Sequence, residues 1–224
     1  KKNLKYLSID SFFIFIIALI PALLITGPFL PDLLISICAL LFFFYLKKDK
    51  FAFDKKKKHF TVFFTIFYFF VIVSSLYSLD VESIFKSLAI IRFFLFTLVF
   101  WHILEKYELK VLKKLFKICL ISTIILIADS FLQFLTGTNI LGYSMQVNTR
   151  VSSFFGDELI LGSYLFRILC LIVALNFIFL FNFKKKFFFY IFLIFTLVII
   201  FLSGERTALF LSILYLFLFP LIKS

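Results

Sequence analysis

The sequence predicts an all-α, polytopic transmembrane bundle of about eight spans with both termini in the cytoplasm. Three observations lead there. The chain is 63% hydrophobic, with a mean hydropathy of +1.14 and 39 phenylalanines, more apolar surface than a water-soluble domain can cover. Apolar runs of the length that a ~30 Å hydrocarbon core asks of a helix recur along the chain, and runs such as IFYFFVIV are apolar on every face, unlike barrel strands. Lysines fill every second connection and are nearly missing from the others, which is the positive-inside pattern.

The spans fall at about 11–26, 32–46, 60–78, 83–102, 116–135, 159–181, 187–202 and 207–222. Lys1, Lys2 and Lys5 precede the first, and Lys47 to Lys58 separate the second from the third. Lys106 to Lys117, with Leu109, Leu112 and Leu115, form a basic amphipathic connection after the fourth, expected to lie on the cytoplasmic leaflet. Lys184, Lys185 and Lys186 follow the sixth span and Lys223 the eighth. The external segments are GPFLPD, SLDVES, a longer loop at about 136–158 and the tetrad SGER at 203–206. All six glycines lie in or beside those external segments, so neither GxxxG packing nor a broken midplane helix is predicted. Residues 1–224 thus read as a single transmembrane domain.

The net charge of +12 belongs to lysines facing anionic headgroups. No stacking platform accompanies them, and nucleic acid is excluded as a partner. Cys38, Cys119 and Cys170 fall inside apolar spans, with neither disulfide nor metal-site spacing. His59 and His102 sit at helix ends as interfacial residues. Neither a Ser-His-Asp set nor a glycine-rich phosphate loop is present.

The four arginines, Arg92, Arg150, Arg167 and Arg206, stand apart from the lysines, at or below the external face. Lysine is a hydrated point charge, whereas arginine presents a planar fork suited to phosphate or carboxylate. Arg92 lies in mid-span, where an unpaired arginine costs at least roughly 2.5–3.5 kcal/mol. With Asp129 and Arg167 it is expected to form a charged layer roughly 9–14 Å below the external surface. Arg92 and Asp129 read either as a structural ion pair or as part of a binding layer. One carboxylate does not neutralise two guanidinium groups, so Arg167 is expected to meet an anion. Ser163, Tyr164 and Arg167 share a helix face. Asp157 and Glu158 fit the first turn of the sixth helix, where carboxylates complement the dipole. The tetrad SGER joins two spans of about 16 residues, or ~24 Å, so its turn is expected to be recessed. Glu205 and Arg206 there read either as a headgroup-level pair or as an anion site with the exposed N–H groups of the turn.

The order of GPFLPD, SFFGDELILGSYLFR and LSGERTALFLSILYL resembles the amino-terminal two-thirds of the O-antigen ligase/polymerase family of bacterial inner membranes. The resemblance is one of layout over most of the chain, and motif-specific only at Arg150–Arg167 and Ser203–Thr207. It implies a metal-independent, cofactor-free membrane glycosyltransferase. Such an enzyme takes a glycan from undecaprenyl pyrophosphate at the periplasmic face and joins it to lipid A–core or to a growing chain. It also implies Arg150, Arg167 and Arg206 as the pyrophosphate clamp, with Arg92, Asp129, Glu158, Ser163, Tyr164 and Glu205 in support. Its partners would be the lipid-linked glycan, membrane lipids and proteins of polysaccharide assembly. The family's large periplasmic loop with its catalytic histidine is missing from this sequence, so the chain is expected to be a fragment whose base lies beyond Ser224. The competing reading is a transporter or flippase for a lipid-linked oligosaccharide or other anion. The almost wholly apolar cytoplasmic halves of the spans count against it.

Overall fold

The computed structural model describes residues 2–46, 54–78, 80–145, 150–179 and 183–221. Lys1, Lys47, Lys48, Lys50 and Lys223, five of the topology-marking lysines, lie outside them. The chain is all-helical, 86% helix, and no strand occurs among the described residues. The helices are α1 (Lys2–Leu23), α2 (Phe29–Leu46), α3 (Lys55–Tyr77), α4 (Val81–Ala89), α5 (Ile91–Thr136), α6 (Leu161–Phe179), α7 (Phe183–Leu202) and α8 (Arg206–Leu221). Among the described residues, three stretches are long and apolar enough to cross a membrane: α3, the run from Val81 to Thr136, and α6. On α3 the apolar side chains point outward as well as inward, with Phe63 72% and Phe70 65% exposed. Such a helix suits a lipid surround, since in water it would bury one stripe and expose polar residues.

Punctuation in the sequence sets the helix ends. Pro21 closes α1 within two residues, and the chain leaves through a 3-10 turn at Leu24–Thr26 to Gly27. Asp80 starts α4 by accepting from the N–H groups of Glu82 (3.3 Å) and Ser83 (3.0 Å). The basic amphipathic connection between the fourth and fifth spans is itself helical. The helix runs on through Lys110–Lys117, broken only at Tyr107, whose φ of −136° and ψ of 33° leave the helical region. Leucine, lysine and glutamate are good helix formers, and nothing in that stretch stops them. The apolar part of α7 runs from Phe187 to Leu202, preceded in the same helix by Lys184, Lys185 and Lys186.

The chain divides into two compact units. The first comprises residues 1–17 and 29–111. Its core is built from Phe13, Ile14, Cys38, Phe42, Leu98, Val99 and Ile103, with Phe64 stacked on Phe94 at 4.5 Å. Three ion pairs far apart in sequence lie in it: Lys57 with Glu105 at 2.6 Å, Lys106 with Asp10 at 2.9 Å, and Arg92 with Asp32 at 2.7 Å. The Tyr107 hydroxyl also donates to Asp10, at 2.7 Å, and so ties down the break in α5. The second unit comprises residues 18–28 and 112–224. There α6, α7 and α8 pack on one another around Leu126, Leu161, Leu165, Ile172, Ile199, Ile200 and Ala208. It holds the candidate site.

Candidate functional site

The site begins with two polar residues one turn apart near the end of α5. Asp129 and Gln133 are fully buried, and each is satisfied by the loop that follows. The Asp129 carboxylate accepts from the Ile140 N–H at 3.0 Å and from the Ser153 hydroxyl. Gln133 Oε1 accepts from the N–H groups of Ser152 (3.0 Å) and Ser153 (2.7 Å), while its amide donates to the Tyr143 carbonyl at 3.2 Å. Asn139 adds a bond from its amide to the Ser153 carbonyl at 2.8 Å. These bonds hold Ser153 at a φ of +52°, which L side chains seldom adopt. Asp129 is therefore the anchor of the loop. Of the two readings of Arg92 and Asp129, the mutual ion pair is not formed, since both Asp129 oxygens accept from the loop and Arg92 pairs with Asp32. Arg92 Nε remains buried without a hydrogen-bond partner among the described residues.

The anchored loop delivers Arg150 to the turn between α7 and α8. Val151 donates its N–H to the Leu202 carbonyl at 3.2 Å, and Arg150 Nη2 donates to the Gly204 carbonyl at 3.3 Å. Gly204 has a φ of +73°, and a Cβ there would come within 2.5 Å of Arg150 Nε. The turn needs glycine for its own conformation and for the guanidinium lying on it. Arg150, Gly204, Glu205 and Arg206 then line a cleft of about 440 Å³, walled by Phe134, Phe201 and Leu209. Arg206, the first residue of α8, is exposed and makes no hydrogen bond or ion pair among the described residues. The first N–H groups of α8 open beside it, unpaired within the helix as at any helix start.

Glu205 does not pair with Arg206. Its carboxylate crosses to the start of α6 and accepts from the Gly162 N–H at 2.6 Å, the Ser163 N–H at 3.0 Å and the Ser163 hydroxyl. A carboxylate at a helix N-terminus meets both the orphan donors and the dipole. Gly162 is shaped to this contact, because a Cβ would meet Ser203 Oγ at 2.5 Å. With Glu205 committed to α6, the two guanidinium groups leave the cleft cationic.

The expected polar stripe on α6 is corrected. Ser163 faces Glu205, and the buried Tyr164 donates its hydroxyl to the Pro21 carbonyl at 2.8 Å. Arg167 is exposed and lines neither this cleft nor the next. The structure thus brings Arg150 and Arg206 together and leaves Arg167 apart. Asp157 and Glu158 precede α6, which starts at Leu161, so neither occupies its first turn; Glu205 takes that place. Glu158 is exposed and lines a second cleft of about 690 Å³. Gln133, Asn139 and Ser153 are site-building residues that sequence reasoning missed. The i, i+4 spacing of Asp129 and Gln133 on an apolar helix was the available signal. Among the described residues no cluster of histidine, cysteine, aspartate and glutamate could hold a metal ion.

No protein-family model, curated protein or solved structure matches the chain.

Proposed function

We propose that this chain belongs to a polytopic membrane glycosyltransferase of the O-antigen ligase/polymerase kind. It would lie in a bacterial inner membrane, with about eight spans and cytoplasmic termini. In this reading the loop at 137–158 and the turn at 203–205 face the periplasm, and the cationic cleft takes the diphosphate of an undecaprenyl-linked glycan. The observation that carries the reading is that Arg150 and Arg206, distant in sequence and both without a carboxylate partner among the described residues, line one cleft. Two guanidinium forks beside a helix N-terminus fit the oxygens of a diphosphate. In the transfer, an acceptor hydroxyl oxygen bonds to the anomeric carbon as the bond from that carbon to the pyrophosphate oxygen breaks. The electron pair leaves with the pyrophosphate lipid, and the hydroxyl proton passes to a general base. The arginines stabilise the charge that grows on the leaving group.

The test uses the full-length protein with Arg150→Ala, Arg206→Ala and the double replacement. Glycan transfer from a pyrophosphate lipid is expected to fall about 10²–10³-fold for each single variant. The length ladder of surface polysaccharide on a gel should collapse with it. A normal ladder at normal protein level in the double variant overturns the proposal.

A further inference from the structure

Two clefts share one loop, and their charges are opposite. Arg150 lines the first, while Phe154, Phe155 and Glu158, a few residues on, line the second together with Tyr143, Leu141 and Thr26. All lie in the same compact unit. The Glu158 backbone is fixed by its N–H bond to the Phe155 carbonyl at 3.1 Å. Its carboxylate projects free, with no hydrogen bond or ion pair among the described residues. The rings around it are packed as well: Phe155 packs on Tyr164 at 5.4 Å, and the Tyr143 ring lies beside Gly156, where an added Cβ would sit 3.4 Å from it.

We infer that this second cleft binds a neutral sugar, the acceptor of the proposed transfer. An unpaired carboxylate repels diphosphates and anionic headgroups but accepts strongly from hydroxyl groups. Ring faces offer apolar contact to the C–H face of a pyranose. The hydroxyl of Thr26, which donates to the Leu23 carbonyl, keeps lone pairs for a sugar hydroxyl. A volume of about 690 Å³ lies within the usual range for a small-molecule site. The assignment of the sugar as acceptor rests on the transferase reading. The sugar site itself rests on the cleft.

The experiment puts full-length protein in lipid nanodiscs and titrates neutral mono- and disaccharides and, separately, inorganic pyrophosphate. Glu158→Gln keeps the shape and removes the charge, and Leu141→Trp fills the cleft from a position that is 63% exposed. Saccharide binding is expected to weaken about tenfold with Glu158→Gln and to vanish with Leu141→Trp, pyrophosphate binding being unchanged in both. Saccharide binding indifferent to both variants, or missing while pyrophosphate binds, overturns this inference and leaves the transferase reading standing. Pyrophosphate binding indifferent to Arg150→Ala and Arg206→Ala overturns the transferase reading. A saccharide site that depends on Glu158 would then remain as a site of its own.

Discussion

Arg150 and Gly204 meet across 54 residues of sequence, the guanidinium lying on the turn so closely that a single added methyl would strike Nε at 2.5 Å. Gly204→Ala therefore faces two costs: a backbone held at a φ of +73°, worth about 1–2 kcal/mol for an L side chain, and displacement of the guanidinium. We expect the melting temperature in detergent to fall by several degrees and transfer to fall at least tenfold. If glycine acts through Arg150, adding Gly204→Ala to Arg150→Ala should lower activity little further. A full additional tenfold loss in the double variant would show that the two act separately.

Glu205 joins the α7–α8 turn to α6, and its three bonds to Gly162 and Ser163 make it the cap of that helix. Glu205→Ala removes all three acceptors and is expected to cost about 1–3 kcal/mol. Glu205→Gln keeps one acceptor oxygen and loses the charge, so it should cost less, with about 0.3–1 kcal/mol assigned to the helix dipole. Thermal unfolding of the two variants checks the order. Equal stability of Glu205→Ala and the parent protein would remove the capping role.

What the sequence made legible is the part written in composition and charge: the helical class, the position of most helices and the turn at 203–205. Arg150 and Arg206 were legible as candidates because arginine outside the lysine loops is chemically conspicuous. Their meeting was not, since it depends on Asp129 and Gln133 folding the loop back, and hydrogen bonds to backbone leave no period in a sequence. The same blindness misassigned Asp129 to Arg92. An aspartate at suitable depth looks alike whether it faces a cation or a set of N–H and O–H donors. Arg167 was placed by spacing alone, and spacing fixes a helix face without saying what lies opposite it.

The loop anchor can be tested directly. Gln133→Leu keeps the volume and removes the acceptor for Ser152 and Ser153, leaving two buried N–H groups unsatisfied at about 1–3 kcal/mol each. Ser153, already at a φ of +52°, should then relax and release Arg150 from the cleft. Hydrogen exchange at Ser152 and Ser153 is expected to speed up at least tenfold, with little change in α6. Unchanged protection of those two amides would mean that something else holds the loop.

Arg92 and Asp32 pair at 2.7 Å with their side chains 31% and 43% exposed, a contact the sequence did not suggest because 60 residues separate them. Replacing one partner strands the other. Asp32→Leu leaves Arg92 uncompensated in an apolar span, at about 2.5–3.5 kcal/mol on insertion scales, and Arg92→Leu leaves Asp32 with only the start of α2 to favour its charge. Removing both ends the conflict, since neither charge is then left without its partner. The double variant should therefore be at least as stable as either single one and close to the parent, measured by thermal aggregation in detergent. Because neither residue lines the cationic cleft, the proposed glycan transfer should match the parent's. Strictly additive losses in the double variant would mean that each residue serves a different partner.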